Sequence, residues 1–531
     1  MLTMHVVDKP YNYSLIIALI VLLNIINGFA QKKLSLDSYA YKKIEAVYNK
    51  VKAAAGDYRR ELPKLVLMER AIRVASYRSQ DNTLIIEKKA FDVCESMGKD
   101  VESALAFLIG HELTHFYQQH DWEELGFGTT FLVEKEIFDK HVHHETEADV
   151  YGAFIAYVAG YNTLELIPVL LDKLYKTYNL EDNLVNYPSL SERKRVTEKV
   201  KSRVLDLIKV YDNANYFTAL GWHIQAVSCY EYLLKFLKTK ELYNNLGASL
   251  LAIAIQQQDN SYCYPLELDL NNVLRGWVDK TEGELLEFAM KYIKIALEFD
   301  GSYFTGYLNL AIIYDLEKEY DQAQTTLKLA SSCSQSVIEK ANIAILEGII
   351  YAHLQDKKLA EIYFNKAYNF TINLAIRTIT THNIKVSKGE RIRLETEPMT
   401  KMQDMLDGVP LLESPPIKFH QTLTFLEGFM GITKMHFSEY PHSDLVCLET
   451  KSSFDLHKTY FVLQSTQKLS THKGIRVGST VSSLRKVYDS IQNPKIVHHR
   501  NGYFLIYRSL GLIFKINNKE LLEEWALFLT Y

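Results

Sequence analysis

Apolar positions fall into distinct rhythms along the chain, and each rhythm predicts a different kind of element. Residues 14–26 read SLIIALIVLLNII, an apolar run interrupted only by Asn24. Val101, Leu105, Leu108, Leu113 and Phe116 recur at helical spacing in VESALAFLIGHELTHFYQQH, after the break Gly98-Lys99-Asp100. Residues 34 to about 203 mix helix and strand signals, and residues 205 to 374 keep a helical period throughout. Residues 375–416 then collect Pro, Gly and polar residues (Glu397-Pro398, Gly408-Val409-Pro410, Ser414-Pro415-Pro416) and read as a linker. Residues 417–531 alternate apolar and polar over short runs bounded by Gly and Asn, as in Gly502–Tyr507 and Gly511–Ile516, with one helix-like stretch, VSSLRKVYDSI. That predicts a small α+β module.

The helical region repeats with a period of about 34 residues. Tyr307, Leu310, Ala311, Tyr314, Ala323, Leu327 and Ala330 occupy the large, large, small, aromatic, small, large and small positions of a tetratricopeptide repeat. Gly348, Tyr351, Ala360, Phe364 and Ala367 match again. An earlier unit has Tyr243, Leu246 and Gly247, then Ala289, Ile293 and Ala296, with an insertion near 256–283 between its helices. A fainter first unit holds Ala214, Phe217, Ala226 and Tyr230. Small residues are needed where the two helices of a unit cross closely, and stacked units bury faces that no single unit can.

Composition narrows the picture. The 531 residues imply several domains, and 47% hydrophobic with 23% charged residues excludes a largely disordered chain. A net charge of -4 offers no basic excess to neutralise phosphates, so no nucleic-acid partner is expected. The five cysteines, Cys94, Cys229, Cys263, Cys333 and Cys447, are odd in number and form no CxxC pair, so neither a disulfide framework nor a thiolate zinc site is expected. The run 14–26 is short for a span of about 20 residues. Gly28 and Ala30 follow it at the -3 and -1 positions of a cleavage site. Residues 1–30 therefore read as a secretory signal peptide, with an uncleaved anchor as the other reading.

The chemistry concentrates in His111-Glu112-Leu113-Thr114-His115. On a helix His111 and His115 share one face, and two imidazoles so placed can hold a zinc ion. Glu112 is adjacent, where its carboxylate can take a proton from a water that zinc has acidified. A third protein ligand is required. Gln118 and Asp121 stand where a metzincin has its glycine and third histidine, which excludes that class. Glu134 and Glu145 remain, and Glu145 is favoured. It lies four residues before Asp149 in His144-Glu145-Thr146-Glu147-Ala148-Asp149, so Asp149 can hydrogen-bond a ligand histidine. Ala148, Gly152 and Ala153 would let this second helix approach the first. His120, His141, His143 and His144 read as surface or local polar residues, with His143 as a further candidate ligand.

HELTH followed by ETEAD resembles the HtpX-like and CAAX-prenyl-protease-like zinc metallopeptidases, a gluzincin group, over roughly residues 35–203. The resemblance implies one Zn2+ per chain, Glu145 as third ligand and Asp149 as its supporting carboxylate. That group also carries a His-Pro…Arg segment. Here Tyr187-Pro188-Ser189-Leu190-Ser191-Glu192-Arg193 resembles it, with Tyr in place of His. This implies that Arg193 supports the site, while Tyr187 either donates to a developing oxyanion or packs. Residues 72–77 and 82–86 read as a hairpin whose edge could receive a substrate strand. A peptidase domain followed by tetratricopeptide repeats behind a signal peptide also resembles the BepA-like periplasmic peptidases, which implies a setting in outer-membrane-protein quality control, with membrane proteins as possible clients, but names no substrate.

The expected architecture is a multidomain chain. It comprises a signal peptide (1–30), an α+β zincin-type domain (31–203), an all-α tetratricopeptide solenoid (204–374), a linker (375–416) and a small α+β domain (417–531). The expected activity is that of an exported, periplasmic zinc endopeptidase acting on protein or peptide substrates, including misfolded or envelope proteins. The second reading is a client-binding or chaperone protein whose repeat groove holds a protein partner and whose zinc site is gated or little used.

Overall fold

The computed structural model describes residues 32–69, 73–118, 135–179, 190–257, 262–266, 281–390, 421–428, 431–440, 443–451, 458–465, 470–471, 473–499, 502–517 and 519–530. The chain forms two compact units, Met1–Asp206 and Leu207–Tyr531.

In the first unit four strands make a sheet. They are β1 (Lys32–Lys33), β2 (Lys64–Glu69), β3 (Ala75–Arg78) and β4 (Thr83–Glu87), ordered β1-β2-β4-β3. β2 and β4 run parallel, with Leu65 opposite Leu84 and Leu67 opposite Ile86. β3 is antiparallel to β4, with Tyr77 opposite Leu84. The turn between β3 and β4 is a single 3-10 turn, Ser79–Asp81, closed by Asn82 at φ 50°, which an asparagine tolerates. This is the hairpin expected at residues 72–86, of which Ile72 lies outside the described residues. β3 is the last strand in the sheet order, so one of its edges faces a helix rather than a strand.

The helices of this unit are α1 (Tyr39–Ala55), α2 (Lys88–Glu95), α3 (Val101–Gln118), α4 (Lys135–Val158) and α5 (Ile167–Tyr178). α1 starts where the Ser38 hydroxyl accepts the Tyr41 N–H and stops at Gly56, whose φ of 62° suits a residue without Cβ. Every residue of α3 from Ala104 to Phe116 is buried, because α1, α4 and β3 all pack against it. A helix buried all round is the interior element of its domain. The chemistry-bearing residues therefore sit in the core, not on a surface helix.

α6 (Leu190–Leu220) contains the division between the units. From Leu207 to Ser387 the described residues are helical and repetitive. The pairs are α8 (Lys240–Gln257) with α9 (Glu282–Phe299), α10 (Phe304–Leu316) with α11 (Tyr320–Cys333), and α12 (Val337–His353) with α13 (Lys357–Phe370). The end of α6 precedes α7 (His223–Leu233), and a hydrogen bond of 2.9 Å joins Thr218 to Tyr230 across that turn. The small positions read from the sequence are where the helices cross. Ala289, Ala296, Ala311, Ala323, Ala330, Ala360 and Ala367 are fully buried. A Cβ on Gly247 would lie 2.7 Å from the Ile293 side chain, and one on Gly348 2.5 Å from the Phe364 ring. Capping boxes at Thr281/Glu284 and Ser336/Glu339 start α9 and α12. The period lengthens in the last hairpin because α12 has 17 residues against 13 in α10.

Two expectations change here. The linker read from residue 375 begins instead as helix α14 (Leu374–Ser387), capped by the Asn373 side chain and packed on α12 and α13. Its apolar spacing was outweighed in the sequence by the Pro- and Gly-rich residues that follow. The C-terminal sheet is also larger than expected. β5 (Gln421–Gly428), β6 (Gly431–Tyr440), β7 (Ser443–Lys451) and β8 (Lys458–Ser465) form one antiparallel meander. β9 (Lys495–His499), β10 (Gly502–Tyr507), β11 (Leu512–Asn517) and β12 (Leu522–Thr530) form another. β12 pairs with β8 and fuses them into eight strands. One helix, α15 (Val481–Tyr488), covers the second meander, burying Leu484 and Tyr488 against Leu505, Leu512, Phe514 and Trp525. Among the described residues no helix is long and apolar enough to cross a membrane, and the run 14–26 lies outside them.

The second meander packs on the first repeat. Phe504 lies 5.5 Å from Tyr216, Phe528 lies 5.8 Å from Trp222, and Arg508 Nη2 donates to the Leu220 carbonyl at 2.7 Å. His223 is buried at this junction, and neither ring nitrogen has a hydrogen-bond partner among the described residues. Burial first, then the nearby charges of Lys495 and Arg508, depress its pKa to about 3. The folded unit keeps this histidine neutral while the unfolded chain protonates it near 6.5. Between those values the unfolded state binds the extra proton, so stability falls as pH drops, by up to about 1.4 kcal/mol per unit. Glu524, pushed up chiefly by burial, slopes the opposite way, so the comparison must be with a variant. The urea midpoint followed by tryptophan fluorescence should drop less from pH 7 to pH 5 in His223→Gln than in the parent. Equal drops would contradict a neutral, buried His223.

Candidate metal centre

The site begins with two glycines. α3 and α4 cross at Gly110 and Gly152, backbone against backbone. A Cβ on Gly110 would stand 2.4 Å from the Gly152 carbonyl oxygen, and one on Gly152 would stand 2.5 Å from the His111 amide nitrogen. Both contacts are with main chain, which cannot swing aside. Ala148 and Ala153, fully buried, keep the rest of the α4 face low. The close approach fixes the height of α3 against α4. His111 follows Gly110 directly, while Asp149 and Glu145 lie one and two turns before Gly152.

At that height three side chains converge. His111 Nε2 and His115 Nε2 are 3.2 Å apart. Glu145 Oε2 lies 3.5 Å from His111 Nε2, and its Oε1 lies 3.4 Å from His115 Nε2. Asp149 Oδ1 is 2.9 Å from His111 Nδ1. An aspartate accepts there, so a neutral His111 would carry its proton on Nδ1 and turn its Nε2 lone pair toward Glu145 and His115. His111, His115, Glu145 and Asp149 are all buried. Burial opposes charge on His111, but Asp149 and Glu145 outweigh it and raise its pKa to about 10. Burial likewise opposes charge on Glu145, and the two imidazoles hold its carboxyl well below the usual range. The cluster is thus arranged to keep a positive charge inside it.

These donors fit a zinc ion. A tetrahedral site with bonds of about 2.0–2.1 Å has neighbouring ligand atoms about 3.3 Å apart. The three observed separations, 3.2, 3.4 and 3.5 Å, bracket that value. Two imidazoles and one carboxylate leave a fourth position open. Asp149 supplies the hydrogen bond that a metal-binding histidine ordinarily makes through its other nitrogen.

Glu112 stands apart from the donor set. It is 1% exposed. Its Oε2 accepts the Tyr77 main-chain N–H at 2.8 Å, and its Oε1 has no hydrogen-bond partner among the described residues. Tyr77 is on β3, and its amide points away from β4 toward α3. The Tyr77 ring packs edge-on against Phe116, 5.5 Å away, one turn beyond Glu112. Burial, as the largest effect, raises the Glu112 carboxyl above its ordinary value.

The residues read from the sequence divide as follows. His111, Glu112, His115, Glu145 and Asp149 come together. Tyr187 and Glu134 lie outside the described residues, as do His120 and Asp121. Arg193 is in α6, His141 and His143 are in α4, and all three side chains lie outside the described set. Tyr77 and Gly110 were missed. The role of Tyr77 is played by its backbone amide, which has no residue signature. Gly110 was legible: a glycine inside a buried helix, immediately before a candidate ligand, marks a close backbone approach.

No family model and no curated protein matches the chain. Among solved structures, the chain is similar to a thermophilic tetratricopeptide-repeat protein of Thermus thermophilus. The two are 16% identical over 43% of this chain and 93% of that one, with a TM-score of 0.26.

The glycine crossing yields a direct expectation. Gly152→Ala should cost at least about 2 kcal/mol by overpacking and should separate Glu145 from the histidines. Zinc retained after dialysis should fall to a small fraction of the parent's. Gly283→Ala, where an added Cβ meets nothing within 4 Å, is the control. Full zinc retention in Gly152→Ala would show that the crossing does not set the site.

Proposed function

We propose that this protein is a zinc-dependent endopeptidase. The observation that carries the reading is the buried Glu112 carboxylate beside the His111, His115 and Glu145 donors. One oxygen is anchored by the Tyr77 amide and the other has no hydrogen-bond partner among the described residues. A purely structural zinc site fills all four positions with protein ligands and has no use for such a group.

His111, His115 and Glu145 would hold one zinc ion. Bound there, zinc supplies a Lewis acid that polarises a carbonyl and acidifies water. Asp149 keeps the His111 proton on Nδ1, so that Nε2 stays a donor. Glu112 takes a proton from the water as its oxygen bonds to the scissile carbonyl carbon. It passes that proton to the nitrogen as the C–N bond breaks, and ends ionised as it began. The Tyr77 amide holds the carboxylate in one orientation through both transfers. Main-chain groups on the outer edge of β3 are suited to align an extended substrate, although the Tyr77 amide is already committed to Glu112. Recognition through backbone groups suits unfolded or misfolded protein as the substrate class. Export, from the pattern of residues 14–30, and envelope clients belong to the same proposal.

The stack of helical hairpins favours a second reading, in which the repeats hold client proteins and the metal site is little used. One experiment separates the two. The full chain is loaded with zinc and incubated with casein, alongside Glu112→Gln. The peptidase reading expects cleavage by the parent and a loss of at least about 100-fold in the variant, with zinc content unchanged. Equal cleavage by both proteins contradicts the role of Glu112. Zinc-loaded protein that binds casein but never cleaves it supports the second reading.

A further inference from the structure

The connection between α8 and α9 is out of proportion to its task. In the next two hairpins the helices are joined by three residues, 317–319 and 354–356, whereas α8 ends at Gln257 and α9 starts at Glu282. A helix pair of this kind needs only a short turn, and long connections in compact folds usually carry a function. Part of the long connection, Tyr262–Leu266, is docked on the first helices of later hairpins, far away in sequence.

The docking is specific. Asn383 on α14 grips the main chain of Cys263 with both ends of its amide: Cys263 N donates to Oδ1 at 2.8 Å, and Nδ2 donates to the Cys263 carbonyl at 2.8 Å. This is the hydrogen-bond pair that a neighbouring β-strand would offer to an extended peptide. Tyr264 sends its hydroxyl to Asp315 Oδ2 on α10 at 2.8 Å and is 5% exposed. Asp315 is itself buried, and its other oxygen lies 3.0 Å from His353 Nδ1 at the end of α12. The His353 ring in turn meets the Tyr262 ring edge-on at 5.2 Å. Leu266, beyond Pro265, is buried as well. Three helices, α10, α12 and α14, thus read one short segment: its backbone at Cys263 and its side chains at Tyr262 and Tyr264.

We propose that this face of α10, α12 and α14 is a recognition site for an extended protein segment of the form Tyr-X-Tyr-Pro-apolar. Residues 262–266 occupy it in cis as a built-in competitor. The site's chemistry selects that partner. An amide pair reads any extended backbone, the Asp315–His353 pair accepts a phenol, and the His353 ring packs against a second aromatic two residues earlier. The competing segment is tethered, so a partner must overcome an effective concentration of the order of millimolar. A partner with further contacts, or a change that releases the segment, opens the site. The inference stands on residues 207–531 alone and is independent of the peptidase reading.

The probe is a fluorescent peptide of residues 261–268 carrying Cys263→Ser. It is titrated against the full-length parent, against the double variant Tyr262→Gly/Tyr264→Gly, and against that variant with Asn383→Ala added. The double variant should bind at least about tenfold more tightly than the parent, and adding Asn383→Ala should abolish the gain. A double variant with parental circular dichroism that binds no better than the parent would overturn the proposal and make the segment an ordinary part of the fold. A measurement on the parent guards against misfolding of the variants. Millimolar peptide should speed alkylation of Cys263, mapped by mass spectrometry, relative to a scrambled peptide. An unchanged rate would overturn the proposal independently.

Discussion

The contact of Gly110 with Gly152 sets the geometry on which the cluster of His111, His115 and Glu145 depends. Two helices that carry side chains at their crossing stand 8–10 Å apart. Removing both Cβ atoms lets main chain meet main chain and brings the helices closer. Donors on neighbouring helices can then reach one another with short, buried side chains. Glu145 and Asp149 are four residues apart and so lie on one face, one to meet the imidazole Nε2 atoms and the other to hold Nδ1 of His111. A wider crossing would pull both carboxylates away together. The sheet contributes from the other side, where β3 turns one amide onto Glu112. Glu112 is therefore anchored to a strand, while His111, His115 and Glu145 stand on helices, each within the core.

The same device recurs in the repeats at larger scale. Gly247 and Gly348 meet Ile293 and Phe364 at distances that exclude a side chain, and alanines fill the equivalent positions elsewhere. Close crossings within each hairpin leave the first helices in a row, free to present polar groups. Asp315, His353 and Asn383 are spaced along that row. Small residues thus close the helix crossings in both units: beside the cluster of His111, His115 and Glu145 in one, and within the hairpins that carry Asp315 and His353 in the other.

Much of this was legible because it depends on local spacing. HELTH and ETEAD place their residues on helix faces by periodicity alone, and the small positions of the repeats follow from a fixed period. What escaped the sequence depends on contacts between distant residues or on main-chain groups. The Tyr77 amide serves Glu112 across 35 positions, and Asn383 reaches Cys263 across 120. Neither leaves a pattern in residue type. Helix α14 was hidden by the Pro-rich stretch beyond it. The size of the C-terminal sheet was hidden because the pairing of β8 with β12 is a choice of partner, which alternation cannot specify.

X-ray absorption at the zinc K-edge of the zinc-loaded full-length chain reads the ligands themselves. The spectrum should show nitrogen and oxygen neighbours at about 2.0 Å with the multiple-scattering signature of two imidazoles and no sulfur. His115→Ala should reduce that signature to one. A shell containing sulfur, or one without imidazole scattering, would contradict the centre built at the Gly110–Gly152 crossing.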